Sequence, residues 1–521
     1  MKLHKEANRL IYAIYLLLAF ISGYLAFRAM TWGPWAFSDS SAYVSAARNF
    51  ASGNGFVVYQ SSGAVKIVKE FPPFFPALLS IFGGIKLDYI NTLRWWNIFL
   101  FSSSTLLISQ NIYTATRKHY LSIMAALFFI SSPQIVTIYS SAMSEPLFLF
   151  LLLLSFFLYQ LVLQKDNKPL QFTFLVISSL LPITRYAGIL FVVIFGASFF
   201  VFSQNTRVIK RIRKTALYYI FAFLPVSLWL FSLFNQLNIV GGKRYSFNIN
   251  IFQNIARSIL EESKVIKLWI PYVEIYIGTF TETLIILFTA ILIIFLVGSA
   301  IKQLISSNRA TELHKKQLFF LLIMLIFGYI LFISLTHSIT IPQIDIIDRM
   351  MIPVYPLCIF IFFLSLNALI DKIGEENLLT VFIVALSFLG LRYNFLRTNS
   401  YIKTMEENGH GFTARAYHQS GLINEIRKIS WDEELISNSS GFVLFYTNRY
   451  PMQVDNFPNY AYGSGNSYGE NSFRENNTAL IILFSDFSNY YGENSENLLY
   501  SLTNSLNVKY VDIEGGIYYY R

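Results

Sequence analysis

Residues 143–154 read MSEPLFLFLLLL and head an apolar run, 144–163, whose only charge is Glu145. About 20 apolar residues cross a bilayer as a helix, so this run predicts a membrane span with a carboxylate at its mouth and Pro146 in its first turn. Both residues suit a helix start: proline there forfeits no hydrogen bond, and an acid meets the positive end of the helix dipole. Runs of the same kind recur near 10–30, 92–112, 120–138, 170–184, 186–202, 215–235, 279–300, 318–336, 350–369 and 377–396, which makes eleven in all. The runs 170–184 and 186–202 are short and are expected to be broken or tilted.

Composition agrees. The 521 residues are 54% hydrophobic and 17% aromatic but only 13% charged, against about 25% charged in an ordinary soluble domain. Lipid is therefore the expected solvent for most of the chain, with Phe and Tyr forming interfacial belts. The net charge of +10 does not point to nucleic acid, because the basic residues cluster in short loops between apolar runs. With the N-terminus inside, those loops hold Arg117, Lys118, Lys165, Lys168, Arg207, Lys210, Arg211, Arg213, Lys214, Lys302, Arg309, Lys315 and Lys316. The short loops of the other face hold almost none beyond Arg185 and Arg349, which is the positive-inside pattern. The basic segment Met1–Arg9 precedes the first run without a small-residue cleavage site, so that helix is expected to be retained. A single cysteine, Cys358, excludes an intrachain disulfide.

The fold class expected is an α-helical polytopic membrane protein with a small C-terminal α/β domain. Residues 1–396 are expected to form the transmembrane part and 397–521 an extracytoplasmic domain, with outer loops at 31–91 and 236–278. In the tail, GFVLFY (441–446), ALIILFSDF (479–487) and VKYVDI (508–513) read as strands. LINEIRKI (422–429) and SENLLYSLTNSL (495–506) read as amphipathic helices, and Pro451–Asn477 as a turn-rich insertion. In the first outer loop, FSDSSAYVSAARNFASGNGF (37–56) reads as a short helix ending on a Gly-Asn-Gly turn. Ser38, Asp39 and Ser40 are all cap residues ahead of it.

This topology puts four charges, distant in sequence, on one membrane face: Asp39, Glu145, Arg185 in LPITRYAGIL and Arg349 in IDRMMIPVYP. Each has a plain structural reading. Asp39 can cap a helix, Glu145 can answer a helix dipole, and a lone arginine can snorkel to headgroups. Their shared face lifts the set, since ionisable groups at membrane ends are costly and often mark functional sites. The six histidines show no ligand spacing, and no metal or other cofactor is assigned.

The order of these motifs resembles a known family. An outer-loop Asp follows the first helix, then come Y-x-x-x-A-x-x-x-x-x-G-x-G, PPFFPALL, SEPLF, TRYAG and a late R-x-x-x-P-x-x-P. Over roughly residues 30–370 this resembles the polytopic GT-C glycosyltransferases, in particular bacterial relatives of protein O-mannosyltransferases and of lipid A aminoarabinose transferase. The tail stretch ISNSSGFVLFYTNRYP (436–451) is similar to the extracytoplasmic domain of bacterial members. The resemblance implies a polyprenyl-phosphate sugar as donor and a glycan, lipid or protein hydroxyl as acceptor. It also implies inversion at the anomeric carbon and a place in the bacterial cytoplasmic membrane, with the tail outside. It implies Asp39 as general base and Glu145 as a group that orients the acceptor or holds an arginine. Arg185, Arg349 and Lys69 are implied for the lipid phosphate, and Tyr43 and Tyr186 for sugar or lipid contacts.

Two features depart from the pattern. Ser40, not an acid, follows Asp39, and Phe71 stands where a basic residue precedes Pro72-Pro73 in the aminoarabinose transferases. The WWDYG-type motif of oligosaccharyltransferases is absent, which argues against en bloc glycan transfer. A transporter or lipid flippase is the competing class; it is expected to carry mid-membrane charges or paired halves. A binding or assembly protein with a degenerate site is the third.

Overall fold

The structure is a computed structural model and describes residues 2–83, 88–165, 167–202, 207–237, 244–245, 251–306, 310–341, 346–453, 478–504 and 506–520. Sixteen helices build the first part: α1 (Lys2–Ala29), α2 (Ser38–Ala51), α3 (Phe74–Gly83), α4 (Tyr89–Thr116), α5 (His119–Ile130), α6 (Pro133–Tyr139), α7 (Glu145–Gln164) and α8 (Lys168–Thr184), then α9 (Gly188–Phe202), α10 (Val208–Leu237), α11 (Ile251–Lys267), α12 (Phe280–Ser306), α13 (Ala310–Ile339), α14 (Asp348–Met351), α15 (Val354–Ile373) and α16 (Leu378–Asn408). Every apolar run identified above is helical. Seven of these helices (α1, α7, α10, α12, α13, α15 and α16) are long and apolar enough to cross a membrane. The α5–α6 pair makes an eighth if it counts as one broken span, and α8 and α9 are shorter apolar helices.

The run 120–138 is not one helix, as expected, but two bent by 66°. The break falls at Ser131-Ser132-Pro133. Ser132 has the extended backbone favoured before proline, and its hydroxyl accepts from the Ile135 N–H. The vacated Ser131 carbonyl is taken by Thr398 Oγ1 of α16 at 2.6 Å. α4 is long but speckled with polar residues, and Asn97, Ser104, Thr105 and Asn111 are buried in protein. It packs between α1, α5 and α7, and α7 in turn is buried along most of its length.

The strands lie in segments between the long helices and in the tail. In the first, β1 (Val57–Gln60) and β2 (Val65–Ile67) form a hairpin between α2 and α3. In the second, β3 (Arg244–Tyr245) pairs with β4 (Thr340–Ile341). Past α16 come α17 (Arg415–Gln419), α18 (Leu422–Arg427), β5 (Glu434–Ser437), α19 (Ser440–Thr447), β6 (Arg449–Tyr450) and β7 (Met452–Gln453). β8 (Thr478–Leu483), α20 (Phe484–Tyr491), α21 (Ser495–Thr503), β9 (Leu506–Val511) and β10 (Gly515–Tyr520) complete the tail. Its five-stranded sheet has the order β7-β5-β8-β10-β9, with β5 parallel to β7 and β8, and β10 antiparallel to β8 and β9.

Three details of the tail differ from the sequence reading. GFVLFY is the helix α19, not a strand: Phe442, Val443, Leu444, Phe445 and Tyr446 are all buried, and a short apolar run buried on every side carries no period to separate the two. ALIILFSDF is a strand only to Leu483 and a helix thereafter. The helix expected over 377–396 runs on to Asn408. Most of the insertion 451–477 lies outside the described residues.

The tail is joined to the segment between α1 and α4 by backbone as well as side chains. β6 extends the β1–β2 hairpin in parallel, pairing Tyr59 with Arg449 and Gln60 with Tyr450. α19 lies along α2, where Ser41 Oγ donates to the Gly441 carbonyl at 2.6 Å and Arg48 Nη1 to the Phe445 carbonyl at 2.7 Å. A third join pairs Ala36 with Gly411, three residues from Asp39, with the Phe412 N–H bonded to the Ala36 carbonyl at 2.8 Å. Gly411 has φ +61°, and a Cβ there would lie 2.1 Å from the Ala36 oxygen. Left-handed strain and overpacking act together at this position. Gly411→Ala is expected to destabilise the protein by about 2–6 kcal/mol, read as a lowered melting temperature and faster proteolysis of the tail. An unchanged melting temperature would show that this join is not needed.

Candidate active site

Asp39 is the second residue of α2 and does not cap it, contrary to the cap reading; the N-cap position is Phe37. Ser40 Oγ accepts from the Phe37 N–H at 3.2 Å, so a hydroxyl and not the acid serves the helix start. The carboxylate is left to other partners. It pairs with Arg349, Oδ2 to Nη1 at 2.7 Å. Arg349 comes from the short α14, just ahead of α15, and its guanidinium lies 4.8 Å over the Phe37 ring.

Arg349 Nη1 is also 4.0 Å from Glu145 Oε1. Glu145 opens α7 at 1% exposure and forms an ion pair with Arg185. Arg185 sits in extended backbone at the end of α8, where the chain turns into α9. That turn is tight: a Cβ on Gly188 would lie 2.3 Å from the Leu181 carbonyl carbon, so the glycine of TRYAG is what lets α9 fold back and aim Arg185 at α7. The four charges thus form an alternating series, Asp39, Arg349, Glu145, Arg185. Buried carboxylates need such partners, because desolvation otherwise outweighs what the charge gains.

Ser144 ties a tyrosine to the series. Its Oγ is 3.0 Å from Tyr43 Oη and accepts from Arg185 Nη1 at 3.2 Å. Tyr43 is buried between Phe71 and Phe75, with ring centroids 4.6 and 5.1 Å away. Burial pushes its phenol pKa up, so the group stays protonated. Tyr186 stands next to Arg185; its hydroxyl donates to the Lys69 carbonyl at 3.4 Å and accepts from Trp229 Nε1 at 3.1 Å. Lys69 therefore meets this region through its backbone, and no ion pair joins its ammonium to the four charges among the described residues.

Two cavities meet at the Asp39–Arg349 pair. One of about 710 Å³ is lined by Trp35, Phe37, Asp348, Arg349, Arg397 and His410. The other, of about 490 Å³, runs under the tail and is lined by Phe37, Asp39, Lys66, Glu70, Asn438 and Asp486. Phe37 belongs to both, and each cavity holds one partner of the pair. Sequence reading did not find Asp348, Arg397 or Glu274. Asp348 had a signal, since it directly precedes Arg349; it accepts from Trp269 Nε1 at 3.1 Å, and burial pushes its pKa up. Arg397 pairs with Glu274 across two distant segments, a contact that leaves no trace in spacing. Among the described residues no cluster of His, Cys, Asp and Glu is placed to hold a metal ion.

No family model and no curated protein matches the chain. Solved structures do. ArnT from Cupriavidus metallidurans, bound to undecaprenyl phosphate, superposes with a TM-score of 0.54 at 13% identity, covering 98% of this chain and 98% of that one. An oligosaccharyltransferase from Archaeoglobus fulgidus gives 0.54 at 11% identity over 97% of this chain and 74% of that one. The arabinofuranosyltransferase AftD from Mycobacteria gives 0.53 at 13% identity over 97% and 39%. At such identity the likeness is one of fold: the chain shares the fold of these three proteins.

Glu145 supplies a direct test of the charge series. Arg185→Ala leaves it buried with only the more distant Arg349, and is expected to cost about 3–5 kcal/mol of stability. Replacing both partners, Arg185→Met with Glu145→Met, is expected to recover most of that loss, because no buried charge remains. A double variant as unstable as Arg185→Ala in thermal denaturation would show that the pair does not set the stability here.

Proposed function

We propose that the protein is an inverting glycosyltransferase that moves one sugar from a polyprenyl-phosphate donor to an acceptor hydroxyl on the extracytoplasmic face. The single observation that carries this reading is the Asp39–Arg349 contact at the junction of two cavities, in a chain with the GT-C fold. An acid and a cation in contact are what the reaction needs at its two ends. The acceptor is a hydroxyl of a glycan, lipid or protein, and the N-terminus is inside with the tail outside, as the loop charges support.

In this reading the acceptor enters the cavity under the tail, where Asp39 is reached. The donor phosphate enters the cavity that holds Arg349. The acceptor oxygen attacks the anomeric carbon, its proton passes to Asp39, and the bond from that carbon to the phosphate oxygen breaks with its electron pair on the phosphate. Attack opposite the leaving group inverts the configuration, through a transition state of oxocarbenium character. Arg349 Nε is buried without a hydrogen-bond partner among the described residues. The guanidinium can therefore keep Asp39 on one edge and take a phosphate oxygen on another, as its planar fork allows. Developing charge on the leaving phosphate is then met by a cation already in place. Glu145 holds Arg185 and, at longer range, Arg349 against the site, and Tyr43 and Tyr186 contribute donors beside the sugar.

Asp39→Asn is expected to lower turnover by about 10²–10⁴-fold in a transfer assay with a polyprenyl-phosphate sugar, with folding and donor binding retained. Near-normal turnover by that variant would remove Asp39 as the base. Arg349→Ala is expected to weaken donor binding by about tenfold or more in a titration of the polyprenyl phosphate. An unchanged affinity would take Arg349 out of the phosphate site.

A further inference from the structure

α7 carries Glu145 at its first residue and Gln160, Leu163 and Gln164 near its last, so its far end marks the face of the bundle opposite the candidate site. There α4, α7 and α13 enclose a cavity of about 460 Å³. Ala115, Leu163 and Leu318 give it an apolar wall; Arg117, Gln160, His314 and Lys315 are among its polar residues.

The polar groups are not arranged as a satisfied core network. Asn111 donates its amide to the Leu107 and Leu153 carbonyls at 2.8 and 3.2 Å, which fixes its orientation. Its Oδ1 must then accept, and it does so from Gln160 Nε2 at 2.6 Å. Gln160 is thereby turned so that its Oε1 has no donor among the described residues, although Gln160 is only 3% exposed. His314 Nδ1 is likewise buried without a partner among the described residues. A buried acceptor left open costs free energy that a bound donor would recover.

The cations carry the second observation. Lys118 and Lys315 share Asp371 at 2.8 and 3.6 Å, and Lys118 also lies 4.0 Å from Glu375. Arg117 bonds the neutral Gln164 Oε1 at 3.3 Å and meets no acid among the described residues. It does so from the left-handed position that ends α4, at φ +61°. Glycine is at ease there and arginine is not, so the backbone bears strain to place a guanidinium at the cavity.

We infer that this cavity binds the headgroup of an anionic phospholipid that carries a hydroxyl. The phosphate lies on Arg117 and Lys315, and the hydroxyl donates to Gln160 Oε1. The apolar wall suits a ligand delivered from the bilayer. The loop charges place this face beside the cytoplasmic leaflet, where anionic headgroups are concentrated and basic pockets between helices hold them. The site is separate from the proposed donor site and does not rest on it.

The test uses the full-length protein, delipidated in neutral detergent, with short-chain phosphatidylglycerol, short-chain phosphatidylcholine and inorganic phosphate as probes in calorimetric titrations. Phosphatidylglycerol is expected to bind saturably and about tenfold or more tighter than phosphatidylcholine. Arg117→Gly is expected to weaken it about tenfold while leaving the melting temperature of the lipid-free protein unchanged or raised, because glycine relieves the strained turn. Lys315→Gln provides a second variant with the backbone untouched and is expected to weaken binding in the same direction. Equal binding of the two lipids, or wild-type affinity in both variants, would overturn the site. Inorganic phosphate binding as tightly as phosphatidylglycerol would overturn its assignment to a lipid.

Discussion

A carboxylate at 1% exposure needs cations against it, and Glu145 sets that condition at the head of a helix buried along most of its length. Its needs organise this end of the bundle. The α8–α9 turn closes on glycine so that Arg185 reaches it, and α14 brings Arg349 within 4.0 Å. Arg349, drawn in by one acid, is then available to a second, and Asp39 takes it at 2.7 Å. Four segments that are far apart in the chain converge because each charge is answered by the next.

The tail has a mechanical part in this. Asp39 lies on α2, which is held between α3 on one side and α19 on the other, with the Ala36–Gly411 join just before it. The acid is therefore fixed by contacts from both ends of the chain. In the proposed reaction this matters, since a base misplaced by about an ångström loses much of its effect. It also explains why the smaller cavity is roofed by tail residues such as Asn438 and Asp486 while its floor is the first outer loop.

Much of the fold was legible in the sequence because membrane spans are written in length and apolarity alone. The apolar runs are helical in the structure, although the one over 120–138 is broken and seven helices, or eight with that pair, are long and apolar enough to cross a membrane. What was not legible depended on contacts. The break before Pro133 could have been placed from that proline, but its bend of 66° rests on α16 receiving the Ser131 carbonyl. GFVLFY is aromatic and apolar enough for a strand, and becomes α19 because α2 offers it a helical partner. At the site, the positions of Asp39, Glu145, Arg185 and Arg349 at helix ends could be read, whereas their order of contact could not. Ser40 rather than Asp39 serving the start of α2 is a choice between neighbouring residues that only the backbone geometry makes. Arg397 and Glu274, which line the same cavity as Arg349, had no sequence signal.

The proposed reaction needs a lipid phosphate at Arg349 beside an acid that can receive a proton. Mass spectrometry of the lipid that stays with the protein through purification reads this most directly. A polyprenyl phosphate, or its sugar-bearing form, retained in stoichiometric amount is the outcome expected of that reaction. Retention of bulk phospholipid alone, from cells shown to contain polyprenyl phosphate, would contradict it.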